Sequence, residues 1–196
     1  MTKIKNLYGL ILAGGFSKRM GQDKALMDYH GKPQIEYVYD LLGKHCVKIF
    51  LSKRPDQKTY KEISVVNDTQ AFTNIGPLGG ILSAMKTYPE NSWLVMGCDL
   101  PFVMDETLEF LIKNRKPQRL ATAFKSTHDG LPEPLCAIWE AHGYPKILGF
   151  LKKDIHCPRK VLINSDTQLL EQVNPQWLDN VNDLKEFEQA LRHLKG

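Results

Sequence analysis

The chain has 196 residues, 42% of them hydrophobic and 24% charged, with a net charge of +4. That length and balance fit one soluble globular domain over 1–196, able to bury a core without disulfides, and so mild and scattered a positive excess does not mark a nucleic-acid-binding protein. No apolar run reaches the roughly 20 residues of a membrane helix, the first residues lack a signal cleavage site, and Cys46, Cys98, Cys136 and Cys157 form no Cys-x-x-Cys pair; a cytoplasmic protein with reduced thiols and no zinc or iron–sulfur site is expected.

In chain order, Tyr8 to Ala13 reads as a buried strand ending in Gly14-Gly15. Pro33 suits a first helical turn, and Ile35, Val38, Leu41 and Leu42 follow helical spacing. Val47 to Leu51 and Ile63 to Val66 read as strands, and Gly76-Pro77-Leu78-Gly79-Gly80 as a loop opening a helix through about Thr87. Trp93 to Met96 is a strand, and Asp105 is the expected cap of a helix carrying Leu108, Leu111 and Ile112. Leu120 to Phe124 and Leu135 to Trp139 read as strands, and Tyr144 to Leu151 and Leu184 to Leu194 as helices. This alternation predicts an α/β fold with a mostly parallel sheet. Ligands in such folds bind beyond the carboxyl ends of the strands, here the segments after Ala13, Leu51, Val66 and Met96.

Gly14 and Gly15 let the backbone turn and present its N–H groups to an anion. Arg19 can grip phosphate oxygens at two points and Lys24 supplies a mobile point charge. The Gly-x-Gly-x-x-Gly dinucleotide fingerprint and the Gly-Lys-Ser/Thr ending of a Walker loop are both missing. Asp99, in Gly97-Cys98-Asp99-Leu100-Pro101, suits a magnesium ligand and equally a turn cap before Pro101. Asp68 could accept hydrogen bonds from the donor edge of guanine, or close an Asx-turn. Asn182 or Asp183 is an N-cap for the last helix. The six histidines form no ligand set; His128 and His156 read as surface residues, and Trp93, Trp139 and Trp177 as packing.

Leu12-Ala13-Gly14-Gly15, Arg19-Met20-Gly21, Asp23-Lys24-Ala25-Leu26 and Gly31-Lys32-Pro33 resemble the molybdenum cofactor guanylyltransferases, within the wider nucleotide-diphospho-sugar transferase group. Related sugar-phosphate transferases tend to carry Ala-Ala-Gly and Pro-Lys instead, so the Asp23-Lys24 pair favours the molybdopterin branch. The resemblance implies a three-layer, Rossmann-like nucleotidyltransferase fold that moves GMP from GTP to the terminal phosphate of molybdopterin and releases pyrophosphate. It implies Mg²⁺, with Mn²⁺ as a substitute, on Asp99, and catalytic roles for Arg19, Lys24 and Asp99. Nucleotide contacts would come from Leu12, Ala13, Gly14, Gly15, Lys24, Ser52, Asp68, Gly76, Pro77, Leu78 and Asp99. Glu133, Pro134, Asn180 and Asn182 would face the acceptor. A monomer or weak homo-oligomer, in contact with other cofactor-biosynthesis proteins, is expected, with neither membrane nor nucleic acid as partner.

Three other readings compete. The same chemistry could serve another acceptor, by cytidylyl transfer to molybdenum cofactor or transfer to a sugar phosphate. A dinucleotide-binding oxidoreductase lacks its fingerprint here. A non-catalytic nucleotide-binding protein is countered by the presence of Arg19, Lys24 and Asp99.

Overall fold

The computed structural model describes residues 3–13, 23–53 and 63–195. Seven strands form one sheet: β1 Leu7–Leu12, β2 Ile49–Lys53, β3 Ser64–Asn67, β4 Ser92–Gly97, β5 Ala121–Lys125, β6 Pro132–Trp139 and β7 Thr167–Leu170. Their order across the sheet is β3-β2-β1-β4-β6-β5-β7. Only β6 runs antiparallel to its neighbours, β4 and β5; every other pair is parallel. The helices are α1 Gln34–Gly43, α2 Pro77–Thr87, α3 Asp105–Lys113, α4 Tyr144–Leu151, α5 Pro158–Ile163 and α6 Leu184–Lys195.

Successive strand side chains point to opposite faces, and here both faces are apolar. Leu7 and Ile11 of β1 and Leu94 and Met96 of β4 pack with Ile35, Val38 and Leu42 of α1 and Leu108 and Leu111 of α3. Leu10 of β1 and Trp93 and Val95 of β4 face the other way, onto Leu78, Ile81 and Leu82 of α2, Ile147 of α4 and Val161 of α5. A sheet covered on both faces gives the expected three layers. It explains why β4 reads as a continuous apolar run, since all six of its residues are buried.

Several boundaries differ from expectation. Pro77 already occupies the first turn of α2, so Gly79 and Gly80 are helical and buried rather than part of a loop. Pro33 immediately precedes α1 instead of lying inside it. Met104, not Asp105, precedes α3 as its cap; its N–H donates to Thr107 Oγ1 at 3.2 Å. Asp105 is spoken for elsewhere, accepting from Lys44 Nζ at 2.8 Å and bonding His45 Nε2 at 2.7 Å. β6 begins at Pro132, which places Glu133 and Pro134 inside the strand. Proline is tolerated there because pairing with β5 shifts register between Ala123 and Lys125, and pairing with β4 begins only at Cys136. Helix α5 and strand β7 were not anticipated at all; β7 is a short edge strand paired with β5.

The topology fixes where a ligand can bind. From β1 the chain crosses to β2 and β3 on one side, then returns through α2 to β4 on the other. The switch point therefore lies between the carboxyl ends of β1 and β4. Because β6 is reversed, its first residues share that edge.

Candidate active site

The parallel register brings the expected strand-end residues into one row. Leu12 lies beside Ser52 on one side and Gly97 on the other, and Lys53 lies beside Asn67, one residue before Asp68. Ala13 donates its N–H to the Ser52 carbonyl at 3.3 Å. The carboxyl ends of four strands thus share one edge, the one expected for the positions after Ala13, Leu51, Val66 and Met96. Gly14, Gly15 and Arg19 lie outside the described residues.

At the centre, Asp99 sits two residues past β4 and is partly buried. A side chain on Gly97 would place its Cβ 2.6 Å from Asp99 Oδ1, so only glycine lets that carboxylate fold back against the strand end. Burial raises the Asp99 pKa, while the nearby charge of Lys24 acts in the opposite direction. A carboxylate in this state has an incentive to bind further positive charge. Among the described residues no three His, Cys, Asp or Glu side chains form a metal cage. One hard oxygen ligand fits Mg²⁺, which takes its other positions from water and phosphate.

Lys24 opens a short 3-10 turn over Lys24–Leu26, capped by Asp23, whose Oδ1 accepts from the Ala25 N–H at 3.0 Å. Its Nζ donates to Asn182 Oδ1 at 2.8 Å. A neutral amide orients the ammonium without cancelling its charge. The turn carrying Asp99 is braced twice. Val181 N–H donates to the Asp99 carbonyl at 2.9 Å, and His30 Nε2 bonds the Pro101 carbonyl at 2.9 Å while its ring stacks on Tyr37. Burial lowers the His30 pKa, against smaller opposing effects that include this hydrogen bond, so the ring serves as a neutral brace.

On the β2–β3 side, Asp68 is half-buried and its pKa is raised by burial, with a hydrogen bond from Ser52 opposing. Ser52 Oγ lies 3.5 Å from Asp68 Oδ1 and packs directly against Gly80 of α2. Ser52 is buried, so it can act on a nucleotide chiefly through Asp68. Gly76 has φ +65°, a backbone state that a side chain would strain, and it and Pro77 are exposed beside this subsite. Leu78 is fully buried in the core, so only its backbone can face a ligand.

On the β6 side, Glu133 is largely buried and accepts from Arg159 Nη2 at 2.9 Å and from Leu135 N–H at 3.1 Å. Burial raises its pKa, and the Asp99 charge adds to that, which puts both carboxylates within electrostatic reach of each other. Arg159 Nη1 also holds Asp129 Oδ2 at 3.0 Å. Pro134 is buried in the strand, and Asn180 is exposed. Asp183, not Asn182, caps α6: its Oδ1 accepts from Glu186 N–H at 2.9 Å. His128 and His156 are on the surface and the three tryptophans are buried, as expected. Tyr29, His30, Arg159 and Glu186 are not marked by any motif in the sequence; the first three meet partners distant along the chain, and Glu186 bonds the segment just before its own helix. No described helix is long and apolar enough to cross a membrane.

Comparison with known proteins places this arrangement among nucleotide-handling enzymes. Residues 9–169 match the MobA-like NTP transferase domain. A molybdenum cofactor biosynthesis bifunctional protein of Synechocystis is 36% identical over 93% of this chain, which spans only 53% of that protein. A probable molybdenum cofactor guanylyltransferase of Bacillus cereus is 26% identical, with 96% of this chain matching 97% of it. The solved structure of molybdopterin-guanine dinucleotide biosynthesis protein A from Archaeoglobus fulgidus superposes with a TM-score of 0.77 at 21% identity, covering 96% of this chain and 98% of the other.

Proposed function

The chain belongs to the MobA-like NTP transferase family and is a nucleotidyltransferase, and from that premise we propose that it transfers GMP from GTP to the terminal phosphate of molybdenum cofactor. We read 1–196 as one catalytic domain. The observation that carries the proposal is the row of strand ends, which sets Asp68 and Asp99 along one edge of the sheet, with Lys24 near enough to Asp99 for its charge to act there.

An oxygen of the acceptor phosphate attacks the α-phosphorus of GTP. The bond from that phosphorus to the β-phosphate bridging oxygen breaks, and pyrophosphate leaves with the electron pair. The acceptor needs no general base, because a phosphate monoester has its second pKa near ~6 and is mostly a dianion at neutral pH. What the protein must overcome is repulsion between two polyanions, by positioning and charge neutralisation. Asp99 would hold Mg²⁺, which when bound neutralises charge on the phosphate oxygens. Lys24, aimed by Asn182, meets the triphosphate, and Arg19 is assigned to the departing pyrophosphate by the family resemblance. Asp68, steadied by Ser52, accepts from the guanine N1–H and N2–H₂ donors. Glu133 and Asn180 border the acceptor side.

The test is pyrophosphate release with GTP, CTP, ATP and UTP in turn, using Mg²⁺ and molybdopterin as acceptor. A clear preference for GTP is expected. Equal or better use of CTP would move the assignment to cytidylyl transfer.

A further inference from the structure

We propose that helix α6 belongs to the catalytic apparatus, with Glu186 as a positioning residue that keeps Lys24 and Asp99 in register through Asn182 and Val181. The inference rests on the roles given above to Lys24 and Asp99.

The apolar face of α6 joins neither core of the sheet. It packs into a third, separate cluster that includes Met27, Tyr29, Phe102, Val181 and Phe187. Each of the first four lies within a few residues of a site residue: Met27 and Tyr29 follow Lys24, Phe102 follows Asp99, and Val181 precedes Asn182. This small core is therefore assembled from the segments that carry the site. It holds them to one another rather than to the sheet.

Polar contacts run along the same path. Glu186 Oε2 accepts the Asn182 N–H at 2.6 Å, and Asn182 Oδ1 in turn accepts from Lys24 Nζ at 2.8 Å. Next to it, Val181 N–H donates to the Asp99 carbonyl at 2.9 Å. The carboxylate of Glu186 lies in the first turn of α6, where the helix dipole favours a negative charge. Tyr29 belongs to the same small core. Its ring meets Phe187 edge to face at 5.0 Å, and it feels the charges of both Asp99 and Glu186. The segment that Glu186 caps thus bonds the Lys24 ammonium on one side and the backbone of Asp99 on the other.

The test compares Glu186→Ala, Glu186→Gln and Phe187→Ala with the unaltered chain in kcat and KM for GTP, melting temperature, and amide exchange at Val181 and Asn182. Misplacing a catalytic group by about 1 Å costs on the order of 10²-fold in rate. Glu186→Ala should thus lower kcat by roughly tenfold to a hundredfold while KM changes little. Glu186→Gln keeps an acceptor oxygen and should recover most of that loss. Unchanged kcat in Glu186→Ala and Phe187→Ala, with only a lower melting temperature, would reduce α6 to a structural element and overturn the inference. If the unaltered chain transfers nothing from GTP, the functional reading fails on its own. Exchange at Val181, whose acceptor is Asp99 and not Glu186, then decides the inference: faster exchange there in Glu186→Ala supports the coupling, and unchanged exchange overturns it.

Discussion

Strand β4 has a shielded carboxylate near each end, and the two are treated in opposite ways. At its start, Glu140 is buried and fully engaged: Arg115 Nε and Nη2 each donate at 2.7 Å, and Ser92 Oγ donates at 2.7 Å. Past its other end, Asp99 is held in a position where burial raises its pKa and the compensation on hand is the charge of Lys24 and local backbone. The first is a closed circuit that ties α3, β4 and β6 together. The second leaves the molecule favouring an added cation. One strand thus separates a carboxylate closed off by its own ion pair from one that the proposed function would complete with a metal ion.

The contrast can be broken at either end. Glu140→Gln leaves the Arg115 guanidinium buried without its counter-charge, and about 3–5 kcal/mol of stability should be lost. Urea unfolding measures this, and kcat per folded molecule should not change. Asp99→Asn should do the reverse: turnover falls by roughly 10²–10³-fold, ~3–4 kcal/mol of transition-state stabilisation. Its melting temperature in the presence of a chelator should not drop, because a charge that burial disfavours has been removed. A circular dichroism melt showing collapse would make Asp99 structural and erase the distinction.

A smaller effect tests the flank of the site. Asp68→Ala removes hydrogen bonds to a charged acceptor, which are worth about 1.5–3 kcal/mol. Preference for GTP over ATP in direct competition should fall by roughly tenfold to a hundredfold; unchanged discrimination would remove Asp68 from base recognition. The smallest effect concerns Asp105, outside the site. Slight burial works against its ionisation, but hydrogen bonds from Lys44 and His45 outweigh this and hold its pKa below the ordinary value. A lowered folded-state pKa gives stability that is present above about pH 4, the unfolded value, and is lost as the pH falls through the lowered one. Asp105→Asn should therefore narrow the drop in melting temperature between about pH 5 and about pH 3.

The donor half of the site was legible because its residues end consecutive parallel strands, where local pattern and topology coincide. Asp68, Ser52, Ala13 and Asp99 each follow a short apolar run that reads as a strand. The remaining parts depend on contacts that no local window contains. Lys24 and Asn182 meet across 158 positions, and Glu133 and Arg159 across 26. Strand β7 offers little alternation of its own and exists by pairing with β5. Helix α5, six residues long, is too short to establish a periodic pattern. The cap of α3 was misplaced for a similar reason, since Asp105 is engaged with two residues at the end of α1. The amphipathic pattern of α6 was plain, but not the face of the molecule it would cover.

The reversal of β6 has a consequence of its own. A parallel strand in that position would have sent its starting loop to the far side of the sheet. Running backwards, β6 delivers the Ser126–Leu131 connection and Glu133 to the same rim as the carboxyl ends of β1 to β4. If the proposed reaction holds, the two substrates would meet separately built margins: one made of parallel strand ends, the other of the β5–β6 hairpin. Replacing the tip of that hairpin should alter what receives the nucleotide while leaving untouched which nucleotide is given.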